Sequence, residues 1–184
     1  MLTGNQASLP TLVKRRKSER SISRNTTNYS IMVIRTYQSV DYAGCMKAFE
    51  SNCPAFFADH EKELFQHFLR ELEISSMNYY VVEHENQIIA CAGFYLPSQI
   101  DKAAELVWGM VTRDFQREGV GKQLLDYRLR KIQEIRPGTS VLLDTTQLSF
   151  PFFEKAGFRT LKISPNFYAP GLDRYDMILE PYNV

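Results

Sequence analysis

Long apolar runs are missing from this chain of 184 residues. None approaches the roughly 20 residues that a bilayer-spanning helix needs, so no transmembrane helix is expected. Cysteine is scarce, and Cys45, Cys53 and Cys91 stand in no paired spacing. An odd, unpaired set excludes a disulfide framework and points to a reducing compartment, with a cytoplasmic location as the expectation. Cys91, inside the apolar run "IIACAGF", reads as a small core residue. No histidine or basic cluster adjoins Cys45 or Cys53 to make either a reactive thiol. His60 and His67, with Glu63 between them, share one helical face, which reads as a solvated polar face rather than a metal site. Net charge is also nearly absent, at +1. It is unevenly spread: residues 1–28 hold six basic residues and one acidic, the remainder sixteen and twenty, giving +5 and −4. Any attraction to nucleic acid therefore belongs, weakly, to the tail.

What the chain does have is apolar and aromatic content, 44% and 12%, enough for one sizeable core. Residues 1–29 are rich in Ser, Thr, Asn and Arg without periodicity, and read as a disordered basic tail. A transit peptide and a nucleic-acid arm are open readings; an upstream start, with Met32 as the alternative, is the simpler one. Folded patterning begins around Met32, and residues 32–181 read as one domain.

Within that domain "MVIRTY" is a short strand and "DYAGCMKAFESN" a helix. "DHEKELFQHFLREL" is an amphipathic helix with Leu64, Phe65, Phe68, Leu69 and Leu72 as its stripe and Asp59 as its N-cap. "NYYVVEHENQIIACAGFYL" is a hairpin turning at Glu85–Asn86. "AELVWGMVT" is a strand. "EGVGKQLLDYRLRKIQEI" is a helix that buries Leu125, Leu129 and Ile132 and stops at Arg136–Pro137–Gly138. "TSVLLDTT" is a buried strand, "FPFFEKAGF" a short helix capped by Gly157, and two strands close the chain. The order β-α-α-β-β-β-α-β-α-β-β is that of an α+β, or mixed α/β, domain.

Gly119 and Gly121 follow a strand and open a helix, which aims free backbone N–H groups at an anion. A nucleotide P-loop is excluded, because Gln116 stands where its first glycine belongs and Gln123 where its hydroxyl belongs. The dinucleotide fingerprint needs a glycine where Leu124 stands. A plain strand–helix turn remains the structural alternative.

Gln116-x-x-Gly119-x-Gly121 after "ELVWGMV" resembles the coenzyme A loop of the GNAT superfamily of N-acetyltransferases. "FFEKAGF" (Phe152 to Phe158) resembles the superfamily's second signature, and the element order from Met32 to Glu180 is similar to its fold. The resemblance implies a central, mostly antiparallel, twisted sheet of about six to seven strands flanked by about four helices. It implies acetyl-CoA as co-substrate and no metal. The main chain of Gln116, Arg117, Glu118, Gly119, Val120, Gly121 and Lys122 would cradle the pyrophosphate. Arg117 and Lys122 would add charged contacts, and Met110 and Val111 strand-edge contacts to the pantetheine arm. The expected reaction is acetyl transfer to a primary amine, of a small molecule or a protein, in a ternary complex.

An amine with a pKa near ~10.4 must lose a proton before it attacks. Glu105, eleven residues before Gln116, matches the base glutamate of the superfamily's histone acetyltransferases; a solvated strand-end glutamate is the alternative. A backbone N–H near Val111 would hold the developing oxyanion. The leaving thiolate is often protonated by a tyrosine where this chain has Phe153, and Thr146 replaces a common asparagine. Ser149 and Tyr168 are the substitutes for the acid, Tyr168 being otherwise a packing aromatic. Asn52, Pro54, Phe56 and Phe57 would wall the acceptor pocket or fill the core. The departure at Phe153 leaves a non-catalytic acyl-CoA sensor as the second reading, and a homodimer is open.

Overall fold

In the computed structural model, residues 11–14, 31–72, 74–75, 77–99 and 103–181 are described. Their order is β1 (Thr11–Lys14), β2 (Ile31–Thr36), α1 (Tyr42–Asn52), α2 (Glu61–Glu71), β3 (Asn78–His84), β4 (Gln87–Tyr95), β5 (Ala104–Val111), α3 (Val120–Ile135), β6 (Val141–Thr145), α4 (Phe150–Lys155), β7 (Arg159–Ala169) and β8 (Leu172–Leu179). The hairpin β3–β4 turns on Glu85 and Asn86, both left-handed at φ 50° and 60°, as a tight two-residue turn requires. Alternation then sorts its side chains. Tyr79, Val81 and Cys91 enter the core under α1 and α2, while Tyr80, Val82, Ala90 and Ala92 enter the core under α3.

The strands form one sheet in the order β1-β2-β3-β4-β5-β6-β8-β7. Every neighbouring pair is antiparallel except β5–β6, which α3 connects as a crossover. The four helices flank it, α1 and α2 on one face, α3 and α4 on the other. This is the expected fold class, with one strand added from the tail: Thr11–Lys14, expected to be unordered, pairs with Ile31–Ile34. The basic run at 15–24 lies outside the described residues. No helix among the described residues is long and apolar enough to cross a membrane.

Local details differ from expectation at two helices. α2 starts at Glu61, whose carboxylate accepts the Ala58 N–H at 2.7 Å, so Asp59 is not its cap. Its buried stripe is narrower than the pattern implies: Phe65 and Leu69 are buried, while Leu64 is 57% exposed. α3 buries Leu125 and Ile132 as expected, and also Arg128, at 4% exposure. Polar/apolar periodicity has no means of flagging a buried arginine.

Two features shape the centre of the sheet. First, β5 and β6 are joined only at Ala104–Val141 and Glu105–Leu142, and then part. Second, β5 bulges: Cys91 faces Met110 and Gly93 faces Val107, so Trp108 and Gly109 oppose Ala92 alone. Trp108 takes φ 42°, a strained conformation for a bulky residue. Phe49, Phe57, Phe65 and Phe68 hold its ring at centroid distances of 5.1–6.4 Å. The Tyr79 hydroxyl donates to its carbonyl at 3.0 Å.

Opposite the bulge, Gly93 has no room for a side chain. A Cβ there would press into the Tyr79 ring and lie 2.6 Å from the Asn78 carbonyl oxygen. Gly93→Ala is expected to destabilise the fold by about 2 kcal/mol, read as a lower midpoint in urea at constant slope; an unchanged midpoint contradicts this packing.

Candidate active site

Backbone alternation decides which groups of β5 are offered to the gap left by β6. The Thr112 N–H donates to the Ile89 carbonyl at 2.8 Å, so Thr112 and, two residues earlier, Met110 turn their backbone groups toward β4. Gly109 and Val111 turn theirs to the open edge. The Met110 backbone, expected to serve the pantetheine arm, is thus directed at Cys91, and Gly109, absent from the sequence-based expectation, lies with Val111 on the open edge. The Val111 carbonyl is already engaged. It accepts from Asn52 Nδ2 at 2.9 Å and Gln116 Nε2 at 3.2 Å, while Gln116 Nε2 also donates to Asn52 Oδ1 at 2.8 Å. What Val111 offers the gap is its N–H.

Asn52 is therefore no pocket wall. It is 3% exposed, at the last turn of α1, and ties that helix to the end of β5 and to the glycine loop. Next to it, Ser51 Oγ accepts the Arg113 N–H at 3.3 Å. The other end of α1 is fixed by Arg35, which bonds the buried Asp41 carboxylate at 2.6 and 2.7 Å and Glu83 at 2.8 Å.

The loop itself turns through two left-handed residues, Arg117 at φ 62° and Gly119 at φ 86°. A side chain at 119 would be strained, and its Cβ would meet only the Gln123 amide nitrogen, at 3.8 Å. The first bond of the following helix runs from the Gln123 N–H to the Gly119 carbonyl. The N–H groups of Val120, Gly121 and Lys122 thus precede the helical ladder and face outward at the positive end of the α3 dipole. Val120 is 1% exposed and anchors this turn in the core. Arg117 and Glu118 are exposed, and Lys122 pairs with Asp126 at 2.5 Å.

Across the gap, Thr146 follows β6, and its hydroxyl is buried with no hydrogen-bond partner. An unsatisfied hydroxyl, the outward N–H groups and the open edge of β5 together fit a long polar ligand ending in phosphates. Phe153 packs edge-on against Phe158 at 5.7 Å. Ser149 opens α4, whose Phe150 and Phe153 pack on the α3 side.

The other face of the sheet carries charge. Ala104 and Leu106 enter the α3-side core, so Glu105 between them projects toward the α1 and α2 side, exposed. Leu142 is its cross-strand partner; two residues on, Asp144 shares that face, and Asp176 lies opposite Asp144. The Tyr168 hydroxyl donates to Asp144, and Arg174 reaches Asp144 at 3.9 Å and Asp176 at 2.7 Å. Burial first, and the bond to Asp144 second, raise the Tyr168 phenol well above its ordinary value. A phenol held this way is a weak proton donor to anything else. Tyr168 and Glu105 therefore share a face, whereas Ser149 opens a helix on the opposite one. Among the described residues no group of three or more His, Cys, Asp or Glu is arranged to hold a metal ion.

The model of the acetyltransferase (GNAT) domain matches residues 47–181. The chain belongs to this family and is an acyltransferase. An N-alpha-acetyltransferase of Sulfolobus acidocaldarius is 27% identical over 135 residues, 66% of this chain and 73% of that one. A GNAT-family structure from Desulfovibrio desulfuricans superposes with a TM-score of 0.69 at 20% identity, over 81% of this chain and 98% of that one. An aminoglycoside 6'-N-acetyltransferase complexed with coenzyme A gives 0.64 at 15% identity, over 80% and 96%.

Glu61, at the start of α2, has its pKa raised, first by burial and then, more weakly, by the charge of Asp144, against the opposing Ala58 N–H bond. A carboxyl with a raised folded-state pKa favours folding when protonated and loses that contribution as pH climbs through the raised value. Glu61→Gln keeps an acceptor for Ala58. Its melting temperature is expected to exceed that of the parent at pH 8, with the gap closing toward pH 4; a gap independent of pH contradicts the burial of this charge.

Proposed function

We propose that this chain transfers the acetyl group of acetyl-CoA to a primary amine that arrives as a cation, within a ternary complex. The observation behind this is the open edge of β5: the Gly109 and Val111 N–H groups lead along it to the outward N–H groups of α3. Backbone donors in a row suit the amides of pantetheine, as an added strand would, and a helix start suits the pyrophosphate. Arg117 and Lys122 lie beside that helix start, Lys122 after exchanging Asp126 for a phosphate.

The carboxylates Glu105, Asp144 and Asp176 on one face of the sheet give an incoming ammonium group a favourable approach. Glu105 is the base, taking a proton from the amine directly or through one water. The neutral nitrogen attacks the thioester carbon. The C–N bond forms, the C–S bond breaks and the sulfur leaves with the bonding pair, while the nitrogen gives up its second proton to solvent to become the neutral amide. A β5 edge N–H, at Gly109 or Val111, holds the carbonyl oxygen as it gains charge. Tyr168 belongs to the acceptor side, bound to Asp144, rather than to the leaving group. The acceptors in the relatives' names, an alpha-amino group and an aminoglycoside, are both amines that are largely cationic at neutral pH.

Acetyl-CoA at a hundredfold excess over its Kd should stabilise the fold by about 2.7 kcal/mol, raising the melting temperature where ATP and NAD do not; a shift with ATP alone overturns the reading. Glu105→Gln should lower turnover about 100-fold at pH 7 and distinctly less at pH 9, where more of the amine is already neutral. Equal loss at both pH values removes Glu105 as the base.

A further inference from the structure

Arg128 is a charged residue for which neither the fold nor the proposed chemistry gives a use. It sits mid-way along α3, 4% exposed, beneath the bulge of β5. One guanidinium nitrogen donates to the Gly93 carbonyl at 3.2 Å, and Nε is buried with no partner. The titratable groups around it are Tyr79 of β3 and Cys91 of β4, and no carboxylate among the described residues pairs with it. Burial pushes the guanidinium down to about 10, so it still bears its full charge at neutral pH. Satisfying a cation this poorly is unfavourable, and an apolar residue would serve the core better.

The place it occupies is specific. A Cβ on Gly109 would lie 3.4 and 3.5 Å from the two terminal guanidinium nitrogens. Gly109 itself is exposed, on the open edge. With no side chain at 109, only one layer of backbone separates a desolvated cation from the position where the thioester carbonyl and its sulfur are to lie. The screening there is that of protein rather than water. The opposite need is visible too, since Phe153 has no proton to give and the Tyr168 proton is held by Asp144. The departing sulfur lacks an acid on the α4 signature.

We propose that Arg128 is a positioning residue that acts through the Gly109 peptide, placing positive potential under the β5 edge so that coenzyme A leaves as the thiolate without a proton donor. The electron pair of the C–S bond stays on sulfur, the first amine proton goes to Glu105 and the second to solvent as the amide forms, and the thiolate takes a proton from solvent after release. This rests on the coenzyme A reading above.

The decisive measurement is the ionisation of the thiol of bound coenzyme A, followed by thiolate absorbance in the ultraviolet. The complex with desulfo-coenzyme A serves as the blank, so that Cys45, Cys53 and Cys91 cancel. In the parent protein the bound thiol is expected to ionise below free coenzyme A. In Arg128→Met the midpoint rises by about one unit, a tenfold lower thiolate fraction, and Arg128→Lys retains most of the effect. Arg128→Met should also lower kcat with little change in the KM for acetyl-CoA, while melting at or above the parent temperature. A purely structural arginine predicts a lower melting temperature and no change in the bound thiol. A parent complex whose thiol ionises at or above the free value, or an Arg128→Met complex matching the parent, overturns the proposal. Failure of desulfo-coenzyme A to bind at all overturns the coenzyme A reading, and this one with it.

Discussion

The bulge at Trp108–Gly109 is the constraint on which the site depends. One extra residue opposite Ala92 shifts the phase of β5, so that Ala104 and Leu106 face α3 upstream while Met110 faces α1 downstream. Without the extra residue, either Glu105 or the Gly109–Val111 edge would have its alternation inverted. Strain at Trp108 is offset by the Tyr79 hydroxyl on its carbonyl and by four phenylalanine rings around the indole. The aromatic core under α1 and α2 is thus what keeps a backbone edge in its working conformation.

Around that edge the elements divide the work. α1 delivers Asn52, which fixes the Val111 carbonyl and, through Gln116, the start of the glycine loop. α3 delivers two charges of a different kind: the exposed dipole end at Val120–Lys122, and the buried guanidinium of Arg128 below Gly109. The face toward α1 and α2 is lined by carboxylates. In the proposed chemistry a cationic amine approaches from the anionic side, where it is deprotonated, and an anionic leaving group forms over the cationic one. Charge separation across a single strand would then assist both partners, the buried guanidinium acting with little solvent screening and the more exposed carboxylates by steering the approach.

Much of this was legible in the sequence, for identifiable reasons. Strand and helix periods, the Glu85–Asn86 turn and the Gly157 cap are local signals, and the element order follows from them. The glycine loop is legible because Gly119 adopts a conformation few other residues tolerate. The Asn52–Gln116–Val111 clamp joins residues up to 64 positions apart and leaves no local trace. The bulge turns the Met110 backbone toward β4 and leaves Gly109 at the edge, a one-residue shift that no local pattern announces. Arg128 looks like any surface arginine of an amphipathic helix until its neighbours are known. Leu64 errs the other way, an apolar residue at helical spacing that the narrow contact of α2 leaves outside.

The central claim is that coenzyme A lies along the β5 edge and ends at the start of α3. Amide resonances of isotope-labelled protein, followed through a titration with acetyl-CoA, test it residue by residue. The largest shifts are expected at Gly109, Val111, Val120, Gly121 and Lys122, with Met110 moving less because its N–H faces β4. Shifts centred on another strand edge, or none at saturating acetyl-CoA, would contradict it.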